Sequence, residues 1–359
     1  MVEWKKLGDI CIPLKKEIIK QGDLKEGGKY PVTNSGITIY GYYDNYNNEG
    51  NAFTLASRGE YAGYISYLKD NFWAGGLCYP YRSRNESLCL TKFIYGYLKN
   101  KEQYIMDTLV MRGGIPALNK ADVDKIVIPI PSLFEQTRIV GILDTFTSTI
   151  ENLKEQIAER RKQYEHYRDQ LLDHEGKEGV ERIVLKDVCE VINGRAYSQP
   201  ELLSEGKYRV LRVGNFFSND SWYYSDLELE DKYYCKKGDL LYAWSASFGP
   251  HIWNEEKVIY HYHIWKMNCG DRLLKSYMYY WLQSEDMKKQ AFSNLHGATM
   301  AHLTKALMES LEVPILSLEE QSRIVSILDT FEASISNLEA QLKQREKQYE
   351  YYRNKLLTF

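Results

Sequence analysis

The chain has 359 residues, 44% of them apolar, and carries 46 Lys and Arg against 49 Asp and Glu for a net charge of −3. That length suggests two or three domains with real cores, and the charge excludes a generic basic DNA binder acting alone. No stretch approaches the ~18 consecutive apolar residues of a membrane span, and no apolar run opens the chain, so the expected setting is the cytoplasm with no membrane partner.

The first globular segment is expected over 1–131 and opens VEWKKLGDIC (2–11). By count it carries about +3, whereas the remaining segments are mildly negative. Strands are expected at 30–32, 52–56 and 64–68, separated by Gly and Asn turns, and a helix at 92–109. A Gly-containing turn (GGIPALNK, 113–120) and a short strand at 126–130 follow.

The next stretch, 132–172, reads SLFEQTRIVGILDTFTSTIENLKEQIAERRKQYEHYRDQLL. Its apolar positions step by four and three: Ile139, Leu143, Phe146, Ile150, Leu153, Ile157, then Tyr164, Tyr167 and Leu171, with Arg160 breaking one slot. That is the heptad rule for a narrow seam facing a partner helix. About 37 helical residues would span roughly 55 Å. Ser132 with Glu135 three residues on forms a capping box at the start. The spacer helix is assigned to 132–175.

A second globular segment is expected over 176–316. Its opening, VERIVLKDVC (180–189), echoes the chain's own start, and GKYRV (206–210) echoes GKYPV (28–32). Strands are expected at 209–213, 240–244 and 258–267, a helix at 273–294, and a short strand at 311–315. Within the longest strand, His261 and His263 would share one face. With His251 they form a cluster whose spacing suits packing or a base or phosphate contact better than a metal.

The last stretch, 317–359, is assigned as the second spacer helix; its residues 317–357 repeat 132–172 without a gap, identical at about 25 of the 41 aligned positions. Its seam is Ile324, Leu328, Phe331, Ile335, Leu338 and Leu342, with Arg345 in the broken slot, and Ser317 and Glu320 repeat the capping box. The natural partner of one helix is the other; the alternative is that each packs on its own domain. If 180–314 is one compact domain its ends lie close together, and the helices are then antiparallel. The expected fold class is α+β, with two globular domains joined by two long antiparallel coiled-coil helices in pseudo-two-fold symmetry. Because the seams match slot for slot, two copies of a fragment ending near Glu175 are expected to pair through theirs.

Six cysteines without a C-x-x-C pair read as buried reduced thiols. No proline is followed by another, so the Asn/Asp-Pro-Pro-aromatic loop of an adenine methyltransferase is missing. So are a Gly-rich cofactor loop and G-x-x-x-x-G-K-[ST]. The chain's 30 Tyr and 7 Trp cluster in turn-rich stretches such as YGYYDNYNN (40–48) and SWYYSD (221–226), which suits binding surfaces.

PIPSLFEQTRIV (129–140) with its echo VPILSLEEQSRIV (313–325), and the turns GGIPALNK (113–120) and GATMAHLTK (297–305), carry a resemblance over the whole chain. They resemble the specificity (S) subunit of type I DNA restriction–modification systems, although Leu316 stands where that family often has a second proline. The resemblance implies a non-catalytic reader with two target-recognition domains, each reading half of a bipartite asymmetric double-stranded DNA target. It implies that the helices set the spacing and dock two methyltransferase (modification) subunits, with restriction subunits joining them. S-adenosylmethionine, ATP and Mg are then expected in the partner subunits, with no cofactor or metal held by this chain. The competing reading is a scaffold protein with two binding domains on a coiled-coil spacer.

Base reading needs paired donors or acceptors on loops. In the first domain these are Ser57, Arg58 and Tyr64 of ASRGEYAGY (56–64), Arg82 and Arg84 beside another loop, and Arg112 before the glycine turn. In the second they are Arg212 and Asn215, Ser245, Ser247 and His251 of AWSASFGPH (243–251), and Lys305.

Overall fold

The structure is a computed structural model that describes residues 2–174, 180–217, 219–245, 247–292 and 303–359, the side chains of Phe217, Ser247 and Phe292 excepted. Two compact units divide the chain: Met1–Lys154 with Ala340–Phe359, and Glu155–Glu339. Each contains one globular segment and one half of each long helix, Leu133–Leu172 and Leu318–Leu356.

In the first unit, Glu3–Lys6 pairs antiparallel with Val127–Ile130, in the register Glu3↔Ile130 to Lys6↔Val127. This ribbon ties the start of the domain to the strand that feeds the long helix. A four-stranded antiparallel sheet follows in the spatial order Cys11–Pro13, Cys78–Ser83, Ala52–Ala56, Ile65–Leu68. Ala52–Ala56 is buried at all five positions, which explains its continuous small-and-apolar run. A three-stranded sheet places Tyr30–Thr33 between Gly41–Tyr43 and a parallel partner, Trp73–Ala74.

The second unit has the same plan despite its divergent sequence. Glu181–Val184 pairs with Glu312–Ile315. The antiparallel sheet runs Cys189–Asn193, Ile264–Cys269, Leu240–Ser245, Ser247–Ile252. The other sheet runs Tyr223–Ser225, Tyr208–Leu211, Val258–Tyr260, Tyr234–Cys235, again with a parallel central pair.

The strand expected at 258–267 is therefore two strands. The chain leaves one sheet at Tyr260 and enters the other at Ile264, so His261 and His263 lie in a turn and not on one strand face. The first unit makes the same switch between Ala74 and Cys78, where Gly75 and Gly76 mark it. In the second unit the small residue directly follows the neighbouring strand Cys189–Asn193: a Cβ on Gly194 would stand 2.3 Å from the His261 carbonyl oxygen.

The helix expected at 92–109 is likewise two, Thr91–Asn100 and Glu102–Thr108. No Gly or Pro marks the break. It is set by tertiary bonds, since the Glu102 carboxylate accepts from the Ile65 N–H (2.7 Å) and from Lys99 Nζ (2.6 Å). The helix expected at 273–294 divides into Lys275–Trp281 and Glu285–Phe292, where the Ser284 hydroxyl donates to the Trp281 carbonyl and accepts from the Met287 N–H.

Each long helix begins with a serine cap: Ser132 Oγ accepts from the Glu135 N–H at 3.3 Å and Ser317 Oγ from the Glu320 N–H at 3.2 Å. The reciprocal half of the capping box is absent. Glu135 and Glu320 instead take bidentate bonds from Arg138 and Arg323, and those bonds hold both carboxyls below the usual range. The residue after each glutamate organises more. Gln136 is fully buried; its Oε1 accepts from the Leu90 N–H and its Nε2 donates to the Leu88 and Pro131 carbonyls. Gln321 does the same with the Leu274 N–H and the Arg272 and Leu316 carbonyls.

The seam divides into two parts. Ile139 and Leu143 join the first domain's core with Phe53, Leu55, Phe93 and Leu98. Ile324 and Leu328 join the second's with Trp265, Tyr277 and Trp281. For those first turns, packing on the helix's own domain is the observed arrangement. Further along, the helices meet each other. In the first unit the Phe146 ring stacks on Tyr352 at 5.5 Å and lies under the Arg345 guanidinium at 5.6 Å. Leu153 is buried, while Ile150 and Leu342 are half-buried. In the second unit Tyr167 stacks on Phe331 at 5.4 Å and Tyr164 donates to Glu332. Ile157 is buried there, with Ile335 and Leu338 half-buried. In both units rising numbers on one helix meet falling numbers on the other, so the pairing is antiparallel.

Five of the six cysteines are buried free thiols and Cys269 is half-buried. Cys189 and Cys269 oppose each other across adjacent strands with sulfurs 3.7 Å apart.

Candidate nucleic-acid interface

In the first unit the loop after Ala52–Ala56 is pinned on both sides. The Ser57 N–H donates to the Leu77 carbonyl and its own carbonyl accepts from the Leu118 N–H, each at 2.9 Å. Ser57 is consequently buried and does not offer its hydroxyl on a loop tip. Arg58, the next residue, is exposed and bridges to Ala117. Gly59 and Gly63 adopt positive φ (+96° and +94°), the left-handed conformation that lets this loop turn twice within seven residues. Ala117 also pairs with Met111, so it lies between Arg58 and Met111; the next residue, Arg112, is exposed and holds the Met106 carbonyl by a 3.3 Å bond. Lys16 lies at the sheet switch, with Nζ 3.1 Å from the Gly76 carbonyl and 4.7 Å over the Tyr79 ring. The sequence offered no loop or turn signal for Lys16. Tyr64 is half-buried under Lys99, whose Nζ lies 3.9 Å from the ring centroid.

Arg82 and Arg84 do not join this group. Arg82 lies near the far end of Cys78–Ser83, roughly 13 Å along the strand from its start, and Arg84 just follows that strand. The Arg82 guanidinium is committed to the Glu49 and Gly50 carbonyls (2.7 and 2.8 Å) and thus holds a turn. Arg84 reaches the Gly8 carbonyl at 3.4 Å.

In the second unit the same place in the fold is built from other residues. Arg212 follows Tyr208–Leu211 and is exposed, with its guanidinium 5.2 Å from the Tyr223 ring. Beside it is the sheet-switch turn: the His261 N–H donates to the Leu211 carbonyl, and the His261 and His263 rings are 4.8 Å apart. Burial, His263 and Arg212 push the His261 pKa down to about 4, so its ring is neutral at pH 7. Trp244 closes the cluster, stacked on Trp265 at 5.6 Å and donating from Nε1 to the Tyr262 carbonyl. Trp244 and Tyr262 fall within the strands expected at 240–244 and 258–267; only the turn at 261–263 brings them to a sheet end.

Asn215 is a loop holder: its Oδ1 accepts from the Arg212 N–H, and its Nδ2 donates to the Asn219 and Ser221 carbonyls. Ser245 is half-exposed at the hairpin end, opposite Ser247, whose side chain lies outside the described residues. The His251 ring stacks on Phe216 at 4.9 Å, and burial holds its pKa below the usual imidazole range. Lys305 pairs with Glu309 at 3.4 Å at the start of Lys305–Ser310. The glycine turn expected before it, 297–302, lies outside the described residues. Among the described residues no group of three His, Cys, Asp or Glu could hold a metal ion, and no helix is long and apolar enough to cross a membrane.

Fold and site together define a class, that of duplicated α+β recognition modules whose sheet ends display different side chains from one frame. The chain belongs to the family of the type I restriction modification DNA specificity domain, which matches residues 1–160 and again 177–347. It is 29% identical to a putative type I restriction enzyme specificity subunit of Haemophilus influenzae, over 100% of this chain and 96% of that protein. It is 26% identical to the EcoR124I/EcoR124II specificity subunit of Escherichia coli, over 100% and 94%. In fold it is similar to the crystal structure of a type I restriction–modification S subunit from M. genitalium, with a TM-score of 0.69 at 19% identity, covering 100% of this chain and 96% of that one.

Proposed function

We propose that this chain is the non-catalytic specificity subunit of a type I restriction–modification enzyme of the cytoplasm. Each recognition domain reads one half of a bipartite, asymmetric DNA target. The long helices set the spacing and dock two methyltransferase subunits, to which restriction subunits attach. The observation that carries this reading is the sheet-switch surface, made twice on one frame with different side chains. Position 34 of the first domain, an asparagine, corresponds to Arg212 of the second at the offset set by GKYPV and GKYRV. A frame kept constant while its reading residues diverge suits two unlike half-sites.

A net charge of −3 supplies little of the phosphate neutralisation on which DNA affinity rests. Partner subunits therefore provide the basic cleft and hold S-adenosylmethionine, ATP and Mg, and the isolated chain binds DNA weakly. Incubated with labelled S-adenosylmethionine and DNA, the purified chain is expected to transfer no methyl groups, and transfer is expected once methyltransferase subunits are added. Robust methylation by the chain alone would refute the proposal.

Arg58 is the first-domain residue best placed to read a base. Arg58→Ala is expected to relax or abolish recognition of one half-site while the other is still required. Uniform weakening across sequences, with a shallower salt dependence, would assign Arg58 to phosphate instead.

A further inference from the structure

The two long helices carry the same seam, so apolar matching alone would let either pair with a copy of itself. The charges beside the seam argue otherwise. In the first unit Lys154 of the first helix meets Glu346 of the second at 3.4 Å. In the second unit Arg161 of the first helix meets Glu339 of the second at 2.5 Å. The repeat equates Lys154 with Glu339 and Arg161 with Glu346, each pair 185 positions apart. These are one geometric pair seen twice, with its polarity reversed. The first helix is basic at both positions and the second is acidic at both.

We propose that this charge reversal makes the first helix accept the second and reject a copy of itself. Antiparallel pairing of two first helices in the observed register would set Lys154 against Arg161 twice. Pairing of two second helices would set Glu339 against Glu346 twice. Only the mixed pair is attractive at both places. Charges flanking a coiled-coil seam select partners in this way, by penalising wrong pairings more than by strengthening the right one. Each ion pair is about half exposed, so its own stabilising effect is small. Selectivity comes from the change of sign at two sites together. The self-pairing of a fragment ending near Glu175, expected from the seams alone, is accordingly disfavoured.

The test uses the full chain and needs no DNA. Lys154→Glu with Glu339→Lys turns both pairs within the chain into like-charge pairs, and makes each helix complementary to a second copy of itself. Reversing all four positions (Lys154→Glu, Arg161→Glu, Glu339→Arg, Glu346→Lys) keeps the code intact and serves as the control. Light scattering on the two variants and the wild type, at protein concentrations up to ~0.5 mM to offset the advantage of pairing within one chain, reads self-association directly. The double variant is expected to self-associate roughly ten-fold or more tightly than the wild type at low salt, and the difference is expected to vanish near ~1 M salt. The fourfold variant is expected to match the wild type. A double variant with the same dimer fraction as the wild type, zero included, overturns the proposal. So does a fourfold variant that associates as strongly as the double.

Discussion

Gln136→Leu is expected to destabilise the first unit by about 3–9 kcal/mol, and Gln321→Leu the second by as much. The side chain is fully buried in each case and makes three hydrogen bonds to main-chain groups. Leucine has a similar volume but leaves one N–H and two carbonyls without a partner, at about 1–3 kcal/mol for each group stranded. These bonds join the first turn of each long helix to the loop that enters the domain's own helix, so their loss also loosens the angle between spacer and reader. Gln→Glu is expected to fall between leucine and wild type where the buried carboxyl is protonated, because the acid keeps the acceptor and one of the two donors. Calorimetry on the four variants gives the ordering. A loss below ~1 kcal/mol for both leucine variants would show that water or rearranged main chain replaces the amide.

Leu328→Asp is expected to cost several kcal/mol, enough to unfold the second unit near ambient temperature. Leu328 has 0% exposure, and its core is made of Trp265, Tyr277, Trp281 and Met278, with no cation among them. A carboxylate there must be protonated or drag water in. Along the seam the effect is expected to weaken in a definite order. Leu153→Asp costs less, because Leu153 keeps 8% exposure and lies outside the domain core. Leu338→Asp costs least, because that side chain is already half-buried. Far-UV circular dichroism melts of the three variants check the order. Equal losses at 328 and 338 would mean that the seam, and not the domain core, holds the start of the second helix.

The 41-residue repeat announced two long helices, and the shared openings announced two domains of one fold, because periodicity and self-similarity survive without knowledge of the partner surface. The strand at Ala52–Ala56 was legible in its ends as well, since every residue in it is buried. The sheet switch at 261–263 was hidden because the residue that permits it, Gly194, is far away in sequence. The same cause hid the breaks after Asn100 and before Glu285, which tertiary hydrogen bonds impose. Among the candidate readers, residue type pointed to arginines but could not separate Arg58 and Arg212, which face outward, from Arg82, which is tied to two carbonyls. Gln136 and Gln321 stood inside the motif that carried the family resemblance, yet only burial shows why an amide is needed there.

The central claim is that each domain reads its own half of one split target. Methylation mapping of a host genome, in cells that express this chain with its methyltransferase subunits, tests it most directly. The account predicts a single asymmetric motif of two specified parts separated by a gap of fixed length. It further predicts that exchanging residues 1–131 for the corresponding segment of a relative changes one part and leaves the other part and the gap as they were. A contiguous motif, or an exchange that alters both parts at once, would contradict it.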